Sequence, residues 1–302
     1  MAGPFVHMTV CEEAKKNESL DPDLATLLDA HHKCLLLGAI SPDTPYLRFT
    51  DDWANAFHNW DGEDRNTNGM PLDGFMDIRG RWASYSKDDG RYMSWLMGYV
   101  SHMVTDIVVH PVVNRIVGVP YKDHKTDHRY CEMVQDSILF KDYFKKEIKD
   151  AEYVDGLRDC PKEGIGTGIA AYWAKLLEAS YPKHANTIVP ETGTWIDATI
   201  NAIDIADGHS WIPAFGVSYK TTAEISSDER AKHYNAVPLD SGLKGNYRAN
   251  VFNAAVDEVC GNWNRLFDWL RSGGENKEEA LKGIILNWNL DTGEKKDWET
   301  NP

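Results

Sequence analysis

GYVSHMVTDIVVHP, residues 98–111, places His102, Asp106 and His110 at every fourth position of an otherwise apolar run. Fourth neighbours on an α-helix are offset by about 40°, so the three form a slowly winding stripe on one helix face. Around them stand Trp95, Leu96, Val100, Met103, Val104, Ile107 and Val108. Two imidazoles and a carboxylate in such surroundings are costly unless something satisfies them, because unpaired buried charge is heavily penalised. A bound cation removes that penalty.

Further along, His128 and Glu132 in HRYCE (128–132) repeat the same spacing. A lone His-x3-Asp pair is more often a satisfied core or capping pair than a metal ligand. Two such pairs, with His110 added, shift the balance toward metal. His7, Asp43 and His58 lie upstream and complete a set of eight candidate ligands: His7, Asp43, His58, His102, Asp106, His110, His128 and Glu132. Imidazole nitrogen with carboxylate oxygen and no thiolate suits catalytic zinc or another borderline divalent ion. His124 precedes His128 by one turn and competes with it, but Glu132 at helical spacing favours His128.

Helical periodicity runs through the rest of the chain. Asp21-Pro22 opens a helix that continues through Leu24, Leu27, Leu28, Cys34 and Leu35, with Gly38 as its expected stop. Residues 91–110 form the strongest helix candidate, which Pro111 should end or kink. Further helices are expected over 127–148, 170–180, 194–207, 249–271 and 277–288. Alternating strand patterns are absent, so the expectation is an all-α, single multi-helix domain over residues 1–302. Two long irregular segments, 44–90 and 208–248, are expected as loops, the second a lid.

Composition narrows the function. The 302 residues are 42% hydrophobic and carry a formal net charge of −15. That balance disfavours generic binding to nucleic acid, whose backbone is held by Lys and Arg. Lys and Arg are not clustered in sequence near the candidate ligands, which weakens a nuclease reading further. Five cysteines without CxxC spacing argue for a reducing compartment. The N-terminal stretch lacks a signal-peptide pattern, and no continuous apolar run reaches spanning length. A cytoplasmic protein without a transmembrane segment is expected, with peripheral membrane contact left open.

Other features read more simply. Gly164-x-Gly166-x-Gly168 is a loop rather than a phosphate cradle. His31, His32, His184, His209 and His233 are expected at the surface. Trp263, Phe267, Trp269 and Leu270 are expected to pack a late helix on the core, and Asp136, one turn beyond Glu132, to orient a ligand.

The ordered motifs GAISPDTPYL (38–47), FHNW (57–60), GYVSHMVTDIVVHP and HRYCE resemble the zinc-dependent phospholipase C family. That family includes secreted bacterial phosphatidylcholine hydrolases and the catalytic domain of the glycosylphosphatidylinositol-specific phospholipase D. The resemblance covers roughly residues 4–140. It implies two or three Zn2+ ions, with His58, His102 and Asp106 at one, His110, His128 and Glu132 at another, and Asp106 bridging to a site shared with His7. It implies Asp43 as general base or additional ligand, and hydrolysis of a phospholipid or soluble phosphodiester by metal-activated water. The secreted bacterial enzymes complete one site with an N-terminal Trp, which this chain lacks. A single-strand-type zinc nuclease and a non-catalytic metal-stabilised protein are the alternatives.

Overall fold

The computed structural model describes residues 3–48, 51–58, 69–82, 87–150, 157, 160, 168–206, 211–212, 217–272 and 277–296. The fold is all-α. The helices are α1 (Pro4–Lys15), α2 (Pro22–Ala30), α3 (His32–Ile40), α4 (Asp51–His58), α5 (Gly69–Gly80), α6 (Lys87–Val117) and α7 (Tyr121–Phe144). They continue as α8 (Ile169–Ser180), α9 (Pro182–Ala185), α10 (Thr192–Ala206), α11 (Ser227–Arg230), α12 (Asn253–Arg271) and α13 (Lys277–Lys282). Strand structure among the described residues consists of three antiparallel two-residue pairings: Trp211–Ile212 with Val217–Ser218, Val237–Pro238 with Lys244–Gly245, and Asn287–Trp288 with Lys295–Lys296.

Asp21 caps α2 as its sequence suggests, accepting from the amides of Asp23 and Leu24. The chain does not stop at Gly38. It breaks instead at His31 (φ −123°) and runs on through Gly38 into a 3-10 helix, Ser41–Arg48. Gly38 has a different role. A Cβ there would lie 2.0 Å from the carbonyl oxygen of Trp95, and one on Gly98 would lie 2.0 Å from that of Leu35. The two glycines let the backbones of α3 and α6 touch, which sets this helix pair at the centre of the fold. Gly38→Ala forces the backbones apart, and we expect a loss of about 2–3 kcal/mol or more, read as a lower urea midpoint at unchanged slope.

Pro111 does not end α6, which carries on to Val117. Proline at 111 frees the carbonyl of Ile107 from its helical partner. Gly293, at φ +74°, passes directly over that carbonyl, and a Cβ there would sit 2.9 Å from the Ile107 oxygen. A close-packed glycine turn thus covers the disrupted ladder.

The long loop expected over 44–90 contains the rest of the 3-10 helix, α4, α5 and the start of α6. In the expected 208–248 loop, residues 217–248 carry α11, a π-helical turn at Ala231–Asn235 and short strands. This part lies along α7: the Gln135 amide donates to the carbonyl of His233 at 3.1 Å, and the Tyr234 hydroxyl to Asp142 at 3.0 Å. The last expected helix ends at Lys282 rather than 288, and Asn287–Trp288 is strand. His209, Gly164 and Gly166 lie outside the described residues. His233 is buried, edge-on to Tyr130, and burial lowers its pKa to about 4. His184 is half-buried against Trp53, 4.3 Å between ring centres, so neither is the surface residue expected. Trp263, Phe267, Trp269 and Leu270 are all buried on α12.

Among the described residues, one helix, over Asp89–Val117, is by length and mean hydropathy apolar enough to cross a membrane, although it lacks a continuous apolar run. Its most apolar stretch is 83% buried inside the fold, as expected of a core helix.

Candidate metal centre

Five elements deliver the eight candidate ligands to one buried region. His7 comes from α1, Asp43 from the 3-10 helix and His58 from the last position of α4; α6 supplies His102, Asp106 and His110, and α7 supplies His128 and Glu132. All eight are buried, the most exposed being Asp43 at 7%.

Asp106 is the hub. Its Oδ2 lies 3.1 Å from His102 Nε2 and 3.7 Å from His58 Nε2. Its Oδ1 lies 3.4 Å from His7 Nε2 and 3.3 Å from His110 Nε2. Asp43 Oδ1 closes the first group, 3.1 Å from His58 Nε2 and 3.7 Å from His102 Nε2. Glu132 Oε1 closes another, 2.8 Å from His128 Nε2 and 3.4 Å from His110 Nε2. Three groups could each hold an ion: His7 with His102 and Asp106, Asp43 with His58 and His102, which share His102, and separately His110 with His128 and Glu132. His124 joins none of these groups. It sits at a kink in α7 (φ −123°), one turn before His128.

The imidazoles are oriented from behind. His58 Nδ1 donates to the Ala54 carbonyl at 2.7 Å, His102 Nδ1 to Ala39 at 2.8 Å, and His110 Nδ1 to Leu290 at 2.5 Å. A proton held on Nδ1 leaves the Nε2 lone pair facing the cluster, the arrangement that metal-ligating histidines use. The inward atoms approach one another without hydrogen-bond alignment. His7, both Asp106 oxygens and the inward nitrogens of His102, His110 and His128 make no hydrogen bond despite complete burial. Convergent, unsatisfied donor atoms of borderline hardness fit zinc.

Electrostatics agree with the geometry. Burial and the neighbouring His102, stacked on it at 3.8 Å, lower the His7 pKa to about 3. Burial opposes ionisation of Asp106, but His110, His102 and His7 hold it well below the usual carboxylate range. Asp43 is likewise held low against its burial by His102 and His58, and Glu132 by His128 and His110. In return Asp106 and Asp43 raise the pKa of His102, and Asp106 that of His110, against the effect of burial.

Asp136 does not bond to a ligand's side chain, as its place beyond Glu132 suggested. It caps the helix of His7, accepting from the Val6 amide at 2.7 Å and from the Tyr219 hydroxyl at 2.8 Å. Burial outweighs these bonds and raises its pKa to about 8. From about pH 4 upward the unfolded chain gives up this proton, while the folded chain keeps it to about 8. Asp136 therefore costs stability increasingly across that window. Between pH 5 and 8, urea unfolding in the presence of zinc should move in favour of Asp136→Asn relative to wild type.

Beside the cluster opens a cavity of about 470 Å³, lined among others by Tyr46, Tyr121, Lys122, Lys125, Arg129 and Asp291. Part of its wall belongs to ligand-bearing elements: the Tyr46 ring stands 5.5 Å from His58, and the Tyr121 ring 4.9 Å from His128. No described residue of 208–248 lines it. The cations correct the expectation that Lys and Arg stay away from the ligands. Positions 122, 125 and 129 follow a three-four spacing, a helical signal that sequence reading could have used.

Leu290 is the other residue missed. Its amide donates to the His58 carbonyl at 3.0 Å, while its carbonyl accepts from His110. Backbone groups leave no mark in a side-chain pattern, so nothing in the sequence flagged it.

An all-α chain with three buried groups of histidine and carboxylate donors has the framework of a metal-dependent hydrolase. The family profile of zinc dependent phospholipase C matches residues 6–181, more than half the sequence, and the chain belongs to that family. The match spans all eight candidate ligands and stops short of Leu290. No curated protein and no solved structure matches the chain.

Proposed function

We propose that the protein is a zinc-dependent phosphodiesterase that hydrolyses a phospholipid, or a soluble phosphodiester, between phosphorus and the alcohol oxygen. The observation that carries this reading is Asp106, whose two oxygens face separate pairs of imidazoles beside an open cavity. Zinc held there supplies Lewis-acid polarisation of the phosphoryl group and a lowered pKa for water.

The chain's own residues account for the rest. His58 and His102 present Nε2 from one side of Asp106, and His7 and His110 from the other. Asp43, kept ionised by His102 and His58, accepts the proton of the attacking water. The water oxygen bonds to phosphorus as the bond to the leaving oxygen breaks, and that oxygen takes up a proton. For a phospholipid the products are diacylglycerol and a phosphorylated headgroup. No side chain needs to form a covalent intermediate.

We also propose that residues 1–302 act as a single catalytic unit, since Leu290 bonds to His58 and His110 alike. The five cysteines are all buried free thiols, which supports residence in the cytoplasm.

The test compares short-chain phosphatidylcholine with single-stranded DNA, using zinc-loaded protein before and after chelation. Zinc-dependent lipid turnover is expected. Cleavage of DNA alone would assign the site to a nuclease, and silence on every phosphodiester would leave a metal-stabilised protein without catalysis.

A further inference from the structure

We propose that the cavity beside the metal centre is a headgroup subsite selecting a hydroxylated headgroup that carries a second phosphate, in preference to one ending in a quaternary ammonium. The proposal rests on the phosphodiesterase reading above and names its substrate class.

Lys122, Lys125 and Arg129 face this cavity in a chain whose net charge is −15. None of the three forms an ion pair with a carboxylate among the described residues. Lys122 and Lys125 are exposed at the mouth, whereas Arg129 is half-buried next to His128, and its Nε is fully buried without a hydrogen bond. A guanidinium whose buried donor lacks an acceptor is placed for an incoming oxyanion. The reacting phosphate belongs at the metal ligands, so these cations suit a further anionic group on the same substrate.

The opposite specificity has little support here. A quaternary ammonium is held by aromatic faces and carboxylates. Tyr121 already has Lys125 Nζ 5.9 Å from its ring centre, and Tyr46 is tilted toward His58. One carboxylate, Asp291, shares the lining, and its Oδ1 is buried without a hydrogen bond. That oxygen is an acceptor for a headgroup hydroxyl. A volume of about 470 Å³ suits one small headgroup, whereas an extended nucleic-acid strand needs a groove with stacking platforms along it.

The experiment uses zinc-loaded protein with short-chain phosphatidylinositol 4-phosphate, phosphatidylinositol and phosphatidylcholine, and bis(p-nitrophenyl) phosphate as a probe of the centre alone. The first ester should exceed phosphatidylcholine at least about 30-fold in kcat/KM. Lys122→Gln with Lys125→Gln, both exposed and neither a candidate metal ligand, should erase at least about 10-fold of that preference. Turnover of bis(p-nitrophenyl) phosphate should stay unchanged in the double variant. Equal rates on the three lipids, or a variant that slows every ester alike, overturns the subsite.

If no ester turns over, the phosphodiesterase reading fails, and calorimetric binding decides the subsite alone. Inositol 1,4-bisphosphate should then bind at least about 10-fold tighter than phosphocholine and lose that margin in the double variant. Equal affinities overturn the proposal. So does a variant that weakens sedimentation with phosphatidylserine vesicles, or binding of a single-stranded oligonucleotide, while leaving the bisphosphate unaffected.

Discussion

Replacing Asp106 by Asn should cut zinc-dependent phosphodiester hydrolysis by about 10³-fold or more, equivalent to roughly 4 kcal/mol of lost transition-state stabilisation. The side chain keeps its size and loses its charge, at a position where Oδ1 and Oδ2 lie within 3.7 Å of four imidazole nitrogens. An amide offers one neutral acceptor oxygen, so one side of the cluster keeps only that weaker ligand and the other meets an NH2 group. Elemental analysis after gel filtration should therefore find at least one zinc fewer per chain. Wild-type zinc content with wild-type turnover would remove Asp106 from the centre. Normal zinc content with lost turnover would show that its charge serves the reaction rather than retention.

Chelation should lower the melting temperature by roughly 10–25 °C. Each ion bound at about one hundred times its dissociation constant stabilises the folded chain by about 2.7 kcal/mol. Two or three ions contribute roughly 5–8 kcal/mol, and each kcal/mol is worth about 2–4 °C for a chain somewhat shorter than this one. Without metal, three carboxylates face five imidazoles inside the fold, and the orphaned atoms keep their desolvation cost. Thermal scans by circular dichroism, with zinc returned in a second sample, check both the size and the reversibility. A shift of only a few degrees would mean that the cluster tolerates emptiness, and that the ions contribute little to holding the fold.

The candidate cluster was legible because its geometry is periodic. His102, Asp106 and His110 recur at one helical spacing, as do His128 and Glu132, and buried polar groups at such positions demand partners. Its supporting parts were illegible for the opposite reason. The carbonyls of Ala54, Ala39 and Leu290 that turn His58, His102 and His110 inward are common to every residue type. Gly38 looks like a helix stop because glycine locally ends helices, while its actual reason is the Trp95 carbonyl on another helix. Pro111 looks like a helix end because its compensation comes from Gly293, far along the chain. Distance in sequence separated each misread residue from its cause.

The hydrogen bond from His110 to Leu290 also imposes an order on biosynthesis. The two positions are 180 residues apart, which at 5–20 residues per second is about 9–36 s of translation. Throughout that interval His7, His102 and Asp106 are already made, but the ring of His110 lacks the carbonyl that aims it and His58 lacks its tie to the same segment. A metal ion captured by the nascent chain meets donors whose directions are not yet set. The geometry of the centre is therefore set only once residue 290 has been made, long after the other side chains of the cluster.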